Sequence, residues 1–362
     1  MAQVQHVLFV GAAYVDTLLY LPAYPQEDSK VPAEARELRR GGNAPNSAVT
    51  LAQFPARSSH LAAALGDESE SRFFLADLTR NDVDVSACVH RPGLPAPSSY
   101  ILVGREAGSR TVISYNRVPE LTLEELCTAY QRLSDGCDGG ISWVHFEGRN
   151  PFAVQAFVHW LRKLPVQPRI SAECEKPNRP GLRELLPLVD VVFFSRLFAE
   201  AVLQSSGVAD TASGRVPGEV FLHHIRTQCR PGALLFCTWG ADGAYSIHAP
   251  MDPLDTVDST KVSTCEVIHT PACLPTPTAT VVDPVGSGDA FTAGVLHQLL
   301  SLVPHANHRN DHEETKAVGW MGDRCQVAAA AARTGCQVAG QKVAQTGFSG
   351  IGAAWQATFA NN

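Results

Sequence analysis

Two short segments carry residue types whose spacing could do chemistry. The first is Val281-Val-Asp283-Pro-Val-Gly286-Ser-Gly288-Asp289-Ala-Phe291-Thr-Ala-Gly294-Val. From Asp289 onward, Phe291, Val295, Leu299 and Val303 recur every four residues, which predicts a helix opened by Gly286-Ser287-Gly288. The first N–H groups of a helix have no intrahelical partner, and the helix dipole adds positive character there. A glycine turn at that point lets an anion, typically a phosphate, approach the backbone. Asp289, read alone, is more readily a first-turn acid that satisfies those N–H groups. The segment is neither a Gly-x-x-x-x-Gly-Lys phosphate loop nor a Gly-x-Gly-x-x-Gly dinucleotide turn. An anion hole with a carboxylate beside it suits phosphoryl transfer: donors hold the developing charge, and the carboxylate takes the proton of an attacking hydroxyl.

The second segment is Arg40-Gly41-Gly42-Asn43-Ala44-Pro45-Asn46-Ser47-Ala48. Pro45 and its small neighbours suit a helix start. Two glycines expose backbone, and Asn43 and Asn46 offer amide donors and acceptors for a polyhydroxylated ligand. On its own the segment reads equally as a glycine-rich loop with asparagine caps.

Elements must position these groups. Val7–Val10, Trp143–Phe146, Ile170–Ala172, Val189–Phe194 and Ala233–Thr238 read as buried strands. Amphipathic stretches separate them: Thr122–Leu133, Phe152–Leu164, Gly181–Leu186, Leu197–Leu203 and Gly218–Thr227. Near-continuous apolar strands between helices predict an α/β, doubly wound, mainly parallel sheet flanked by helices. Ligands in such sheets bind beyond the carboxyl ends of the strands. Those ends carry Asp16, Glu147-Gly-Arg149, Glu173-Cys-Glu175-Lys176 and Trp239-Gly240-Ala241-Asp242-Gly243. Residues 13–40 and 96–117 break the rhythm, the latter with a hairpin of Tyr100–Gly104 and Arg110–Ser114, and are expected to form a small β lid. Residues 251–277 and 305–323 read as surface insertions. His305, His308 and His312 in the latter fit a solvated loop better than a metal site.

Composition narrows the function. Of 362 residues, 45% are hydrophobic and 18% charged, so the chain builds a core. Lys+Arg 29 against Asp+Glu 36 leaves −7, which argues against a nucleic-acid partner. Apolar runs fall short of the roughly 18–20 residues of a membrane span, so no membrane partner is expected. Ten cysteines without a Cys-x-x-Cys pair read as reduced thiols of a cytoplasmic protein.

Together the two segments resemble the paired signatures of the ribokinase-like (PfkB-type) carbohydrate kinases, in the same order and about 240 residues apart. The branch acting on ketoses such as fructose is the most similar. Four further stretches support it: Tyr24–Ser29, His145–Asn150, Glu173–Pro177, and Gly335–Lys342 followed by Gly347–Ile351. The resemblance runs from about residue 6 to 351 and implies a single domain over 1–362, with an ATP-dependent transfer to the ketose 1-hydroxyl. Other acceptors, such as ribose, adenosine or a keto-acid sugar, and a non-catalytic sensor are the alternatives.

It further implies residue roles. Asp289 is the general base, and Gly286, Ser287 and Gly288 form the anion hole over the γ-phosphate. Asp16, Gly42, Asn43 and Asn46 hold the sugar. Arg110, Gly240, Ala241, Asp242, Gly243, Cys336 and Gly340 lie along ATP. Two lids clasp in a homodimer, with Asp28 reaching the partner's sugar site. Mg²⁺ rides on the ATP phosphates through water; Glu147, Glu173 or Glu175 would organise those waters, and no metal ligand is singled out. A monovalent cation is a further candidate. Three departures stand out: Ser109 where that branch has Asn, Pro284 before the glycines, and Ser195-Arg-Leu-Phe198 in place of the Asn-x-x-Glu magnesium motif of many family members.

Overall fold

A computed structural model describes residues 3–104, 109–208, 217–251, 266–302 and 323–359. The His305, His308 and His312 run therefore lies outside the described residues. A nine-stranded sheet forms the centre. Its order is Ile268–Thr270, Ala244–His248, Leu234–Thr238, Val191–Ser195, Arg169–Cys174, Ile141–Phe146, Gln5–Val10, Arg57–Ala62 and Val83–Asp84. From Leu234–Thr238 to Val83–Asp84 all neighbours are parallel. The two strands at the other edge are antiparallel, and periodicity did not predict them. Ile268–Thr270 also makes part of the expected 251–277 insertion an integral edge strand.

Strand alternation divides the core in two. Leu8, Val144, Phe146, Val192 and Phe194 face the helices Leu123–Gly136, Pro151–Leu161, Arg196–Ser206 and Pro217–Ile225. Val7, Phe9, Trp143, Val191 and Phe193 face Asn43–Ala52, Glu68–Arg80, Ser287–Leu300, Arg324–Val343 and Ile351–Phe359. Both signature segments thus start helices on one side of the sheet. Eight cysteines are free thiols among the described residues. Cys325 is disulfide-bonded, unlike the wholly reduced set expected.

The segments 13–40 and 96–117 supply a separate four-stranded sheet, ordered Ala35–Gly41, Tyr14–Leu21, Ser98–Gly104 and Ser109–Tyr115. The predicted hairpin is its last two strands. Register places Leu38, Thr17, Tyr100 and Ile113 in one cross-strand row. Tyr100 and Ile113 in that row are 50% and 55% exposed. The next row, Arg39, Asp16 and Ser99, turns the other way, toward the main sheet's carboxyl edge.

Candidate active site

Between the lid and that edge lies a cleft of about 1040 Å³. Its floor is built where two helices begin. Asn43–Ala52 starts after Gly42, whose φ of 102° and 2.1 Å approach of a would-be Cβ to the Ala12 carbonyl admit only glycine. Ser287–Leu300 starts after Gly286, at φ 81° and pressed against the Phe348 ring. Ser287 N–H turns back to the Pro284 carbonyl at 3.3 Å. The N–H groups of Gly288 and Asp289 have no acceptor among the described residues. A Cβ on Gly288 would meet nothing within 4 Å, so that backbone opens onto the cleft.

Asp289 sits buried at this junction. Asn46 Nδ2 donates to its Oδ2 at 2.8 Å, and Ser47 Oγ donates to its carbonyl at 3.1 Å. Arg40 Nε donates to Asn46 Oδ1 at 3.2 Å, which fixes which way the amide points. Burial, and the nearby carboxylates of Glu173, Glu147 and Glu175, hold the Asp289 pKa well above the usual aspartate range. A carboxylate so raised is a stronger base than an exposed one.

Two strand ends, those of Ile141–Phe146 and Arg169–Cys174, deliver three further acids. Glu147 Oε2 accepts from the backbone N–H of Ala12 at 3.0 Å and Ala44 at 3.4 Å, and burial pushes its pKa up to about 7. Glu173 Oε2 accepts from Asn43 Nδ2 at 3.0 Å, while its Oε1 meets His145 Nε2 at 3.3 Å and Thr292 Oγ1 at 3.5 Å. Glu175 meets the same Asn43 amide at 3.3 Å through one oxygen. Across the cleft, Asp16 is raised to about 6, chiefly by burial, against the opposing effects of the Ser99 hydrogen bond and Arg39.

A network that sequence reasoning missed braces the loop before the glycines. Lys342 Nζ, fully buried, donates to the Asp283 carbonyl at 2.9 Å and reaches its carboxylate at 3.2 Å. Arg39 from the lid reaches the same carboxylate at 3.0 Å. Arg40 and Lys342 lie 5.3 and 5.2 Å from the Phe348 ring centre. A buried lysine has no local sequence signature; the only hint was its place in the Gly335–Lys342 stretch.

The structure therefore brings together Asp16, Gly42, Asn43, Asn46, Gly286, Ser287, Gly288 and Asp289, with exposed Arg110 on the lid side of the same cleft. It does not bring the rest there. Gly240, Ala241 and Asp242 form an exposed turn, and Gly243 abuts the Thr270 carbonyl. Cys336 Sγ packs in the core toward the Thr270 carbonyl at 3.8 Å. Gly340 allows close approach to the Cys273 carbonyl, where a Cβ would stand 2.0 Å away. Asp28 is exposed on a turn with φ 59°, outside the cleft lining.

The fold and this cleft define a sugar or nucleoside kinase. A model of the pfkB family carbohydrate kinases matches residues 4–347, and the chain belongs to that family. Its sequence is 27% identical to mouse ketohexokinase over 354 residues, 96% of this chain and 99% of that protein. Among solved structures, ribokinase from Giardia lamblia aligns with a TM-score of 0.72 at 15% identity, covering 98% of this chain and 99% of that one. Ribokinase from Cryptococcus neoformans var. grubii, solved with ADP, aligns at 0.69 and 14% identity over 100% of both chains. No helix among the described residues is long and apolar enough to cross a membrane.

Proposed function

We propose that this protein phosphorylates the 1-hydroxyl of a ketose such as fructose, using ATP. The observation that carries the reading is the raised, buried Asp289 carboxylate beside the open N–H groups of Gly288 and Asp289. Asp289 accepts the proton of the sugar hydroxyl as that oxygen bonds to the γ-phosphorus. The bond from the γ-phosphorus to its bridging oxygen breaks, and ADP carries the charge away. The helix N-terminus stabilises charge on the transferring phosphoryl oxygens. Asp16, Asn43 and Asn46 receive the sugar's other hydroxyls, and Arg110 approaches the phosphates from the lid. Likeness to ketohexokinase over nearly the full chain supports the choice of ketose.

Hard oxygen donors line the cleft, as Mg²⁺ requires. Both Glu173 oxygens are engaged, whereas Glu175 has one oxygen committed to Asn43, which makes Glu175 the acid that would hold the waters of Mg²⁺. When bound, Mg²⁺ would offset phosphate charge, so a chain of net −7 needs no basic surface. The exposed Leu38–Tyr100–Ile113 row supports pairing of two lids in a homodimer, and the family resemblance would then direct Asp28, on its exposed turn, to the partner's sugar site. Eight free thiols accord with a cytoplasmic setting, and the disulfide at Cys325 runs against it.

The test is a coupled assay of purified protein with Mg-ATP against ketoses, aldoses and nucleosides, run in potassium and in sodium buffers. Fructose should lead in kcat/KM. Ribose or adenosine ahead by tenfold would overturn the ketose assignment.

A further inference from the structure

Near the amino-terminal end of the Gln5–Val10 strand, away from the cleft, three metal-ligand side chains from separate elements meet. His6 comes from that strand, His60 from Arg57–Ala62, and Cys137 caps the Leu123–Gly136 helix. Their ligand atoms all lie within 4.8 Å of one another. Register explains the first two: His6 opposes Ser58, and His60 lies two residues on, on the same face.

The hydrogen-bonding is crowded in an informative way. Asp84 Oδ2 stands 2.9 Å from His60 Nδ1. A carboxylate accepts, so Nδ1 carries the hydrogen and His60 Nε2 presents its single lone pair. Three groups point at that one lone pair: His6 Nδ1 at 3.0 Å, Ser58 Oγ at 3.4 Å and Cys137 Sγ at 3.7 Å. One lone pair cannot satisfy three donors. A cation among them would instead use lone pairs of both imidazoles and the sulfur at once.

We propose that His6 Nδ1, His60 Nε2 and Cys137 Sγ bind one zinc-class divalent cation, with the fourth position open to water. Zinc bonds of about 2.0 Å to nitrogen and 2.3 Å to sulfur place tetrahedral ligands about 3.3 Å (N to N) and 3.5 Å (N to S) apart. The 3.0 and 3.7 Å separations to His60 Nε2 are close to that, and His6 Nδ1 and Cys137 Sγ lie within 4.8 Å of each other. Two imidazoles and a thiolate select zinc over magnesium, so this cation is distinct from the one on ATP. Binding releases the Cys137 thiol proton to solvent, and the His6 proton moves from Nδ1 to Nε2. The second shell is already built: Asp84 orients His60, and Ser86 N–H holds the other Asp84 oxygen at 2.8 Å. The cation would tie two strands to the end of a helix, far from phosphoryl transfer.

The test uses the full-length protein, stripped with a chelator and titrated with Co²⁺ and then Zn²⁺. One equivalent of Co²⁺ should give tetrahedral d–d absorption with a thiolate charge-transfer band, displaced by Zn²⁺. Cys137→Ser should abolish the band and lower zinc affinity at least tenfold, while sugar-kinase kcat stays unchanged. Asp84→Asn, which keeps both imidazoles and the thiol, should weaken zinc by about 10–100-fold. Absence of a stoichiometric band, or a band that survives Cys137→Ser, overturns the site and leaves a metal-free hydrogen-bonded cluster.

Discussion

Asn46 donates to Asp289 across 2.8 Å, and both residues stand in the first turn of their own helix. The positive ends of two helix dipoles thus converge on one carboxylate. They do not set its protonation, because burial and three nearby glutamates raise its pKa instead. Asp289→Asn should lower kcat by roughly 10²–10⁴-fold. Because the variant also removes a buried charge, its melting temperature should hold or rise, and ATP should still bind by calorimetry. Near-normal turnover would remove Asp289 from the reaction.

The pH–rate profile should carry an acid limb displaced upward. Asp289 acts only when ionised, and its pKa is raised, so kcat should begin to fall at a pH above that of an ordinary aspartate. Asp16 adds a second effect. Below about pH 6 it becomes protonated and loses an acceptor for sugar hydroxyls, so the sugar KM should rise. A profile flat down to pH 4.5 would contradict both.

Asp16 also costs stability in the free protein. Its folded pKa of about 6 lies above the unfolded value of 3.8, so the folded state binds more protons between them. The associated stability is complete below pH 3.8 and is lost as pH rises through 6. At one unit per 1.36 kcal/mol, Asp16→Asn should stabilise the free protein at pH 8 by about 3 kcal/mol in urea unfolding, while sugar kcat/KM collapses.

The two glycines of the turn should separate on substitution. Gly286→Ala meets a positive φ and the Phe348 ring, and should cost about 1–3 kcal/mol of stability. Gly288→Ala meets open space, so unfolding should be nearly unchanged while the methyl group obstructs the phosphate and raises the ATP KM. Equal melting losses for both variants would contradict the assignment of the open side.

Lys342→Met should destabilise strongly. It strips one cation from the Asp283 carboxylate and leaves the Asp283 carbonyl without its donor, with Arg39 as the remaining ion pair. The expected loss is about 3 kcal/mol, the lower end for a broken buried pair. Urea unfolding at neutral pH reads it directly.

The parallel strands, the lid segments and the glycine turn were legible because each leaves a local pattern: apolar runs, a hairpin, a helix after glycines. The antiparallel edge was not, since Ala244–His248 follows a tight turn and Ile268–Thr270 is too short for periodicity. Asp289 and Asn46 were legible as types, but their contact spans the chain and only the fold brings it about. Cys336 and Gly340 shared a stretch with functional resemblance, yet close helix packing against residues 270–273 accounts for their small size. Lys342, Arg39 and the His6–His60–Cys137 group were hidden for one reason: their partners are distant in sequence.

Arg39 and Asp16 are register neighbours on paired lid strands, and Arg39 alone of the two grips the loop ahead of the glycines. The lid strand Ala35–Gly41 thus pairs with the Asp16 strand at the same position from which it holds the loop before the glycines. On the proposed function, a displacement of that strand would shift the sugar side and the phosphate side of the cleft together. The two substrates would then be coupled through one ion pair, and because that pair is only 18% and 11% exposed, high salt should loosen both only slightly.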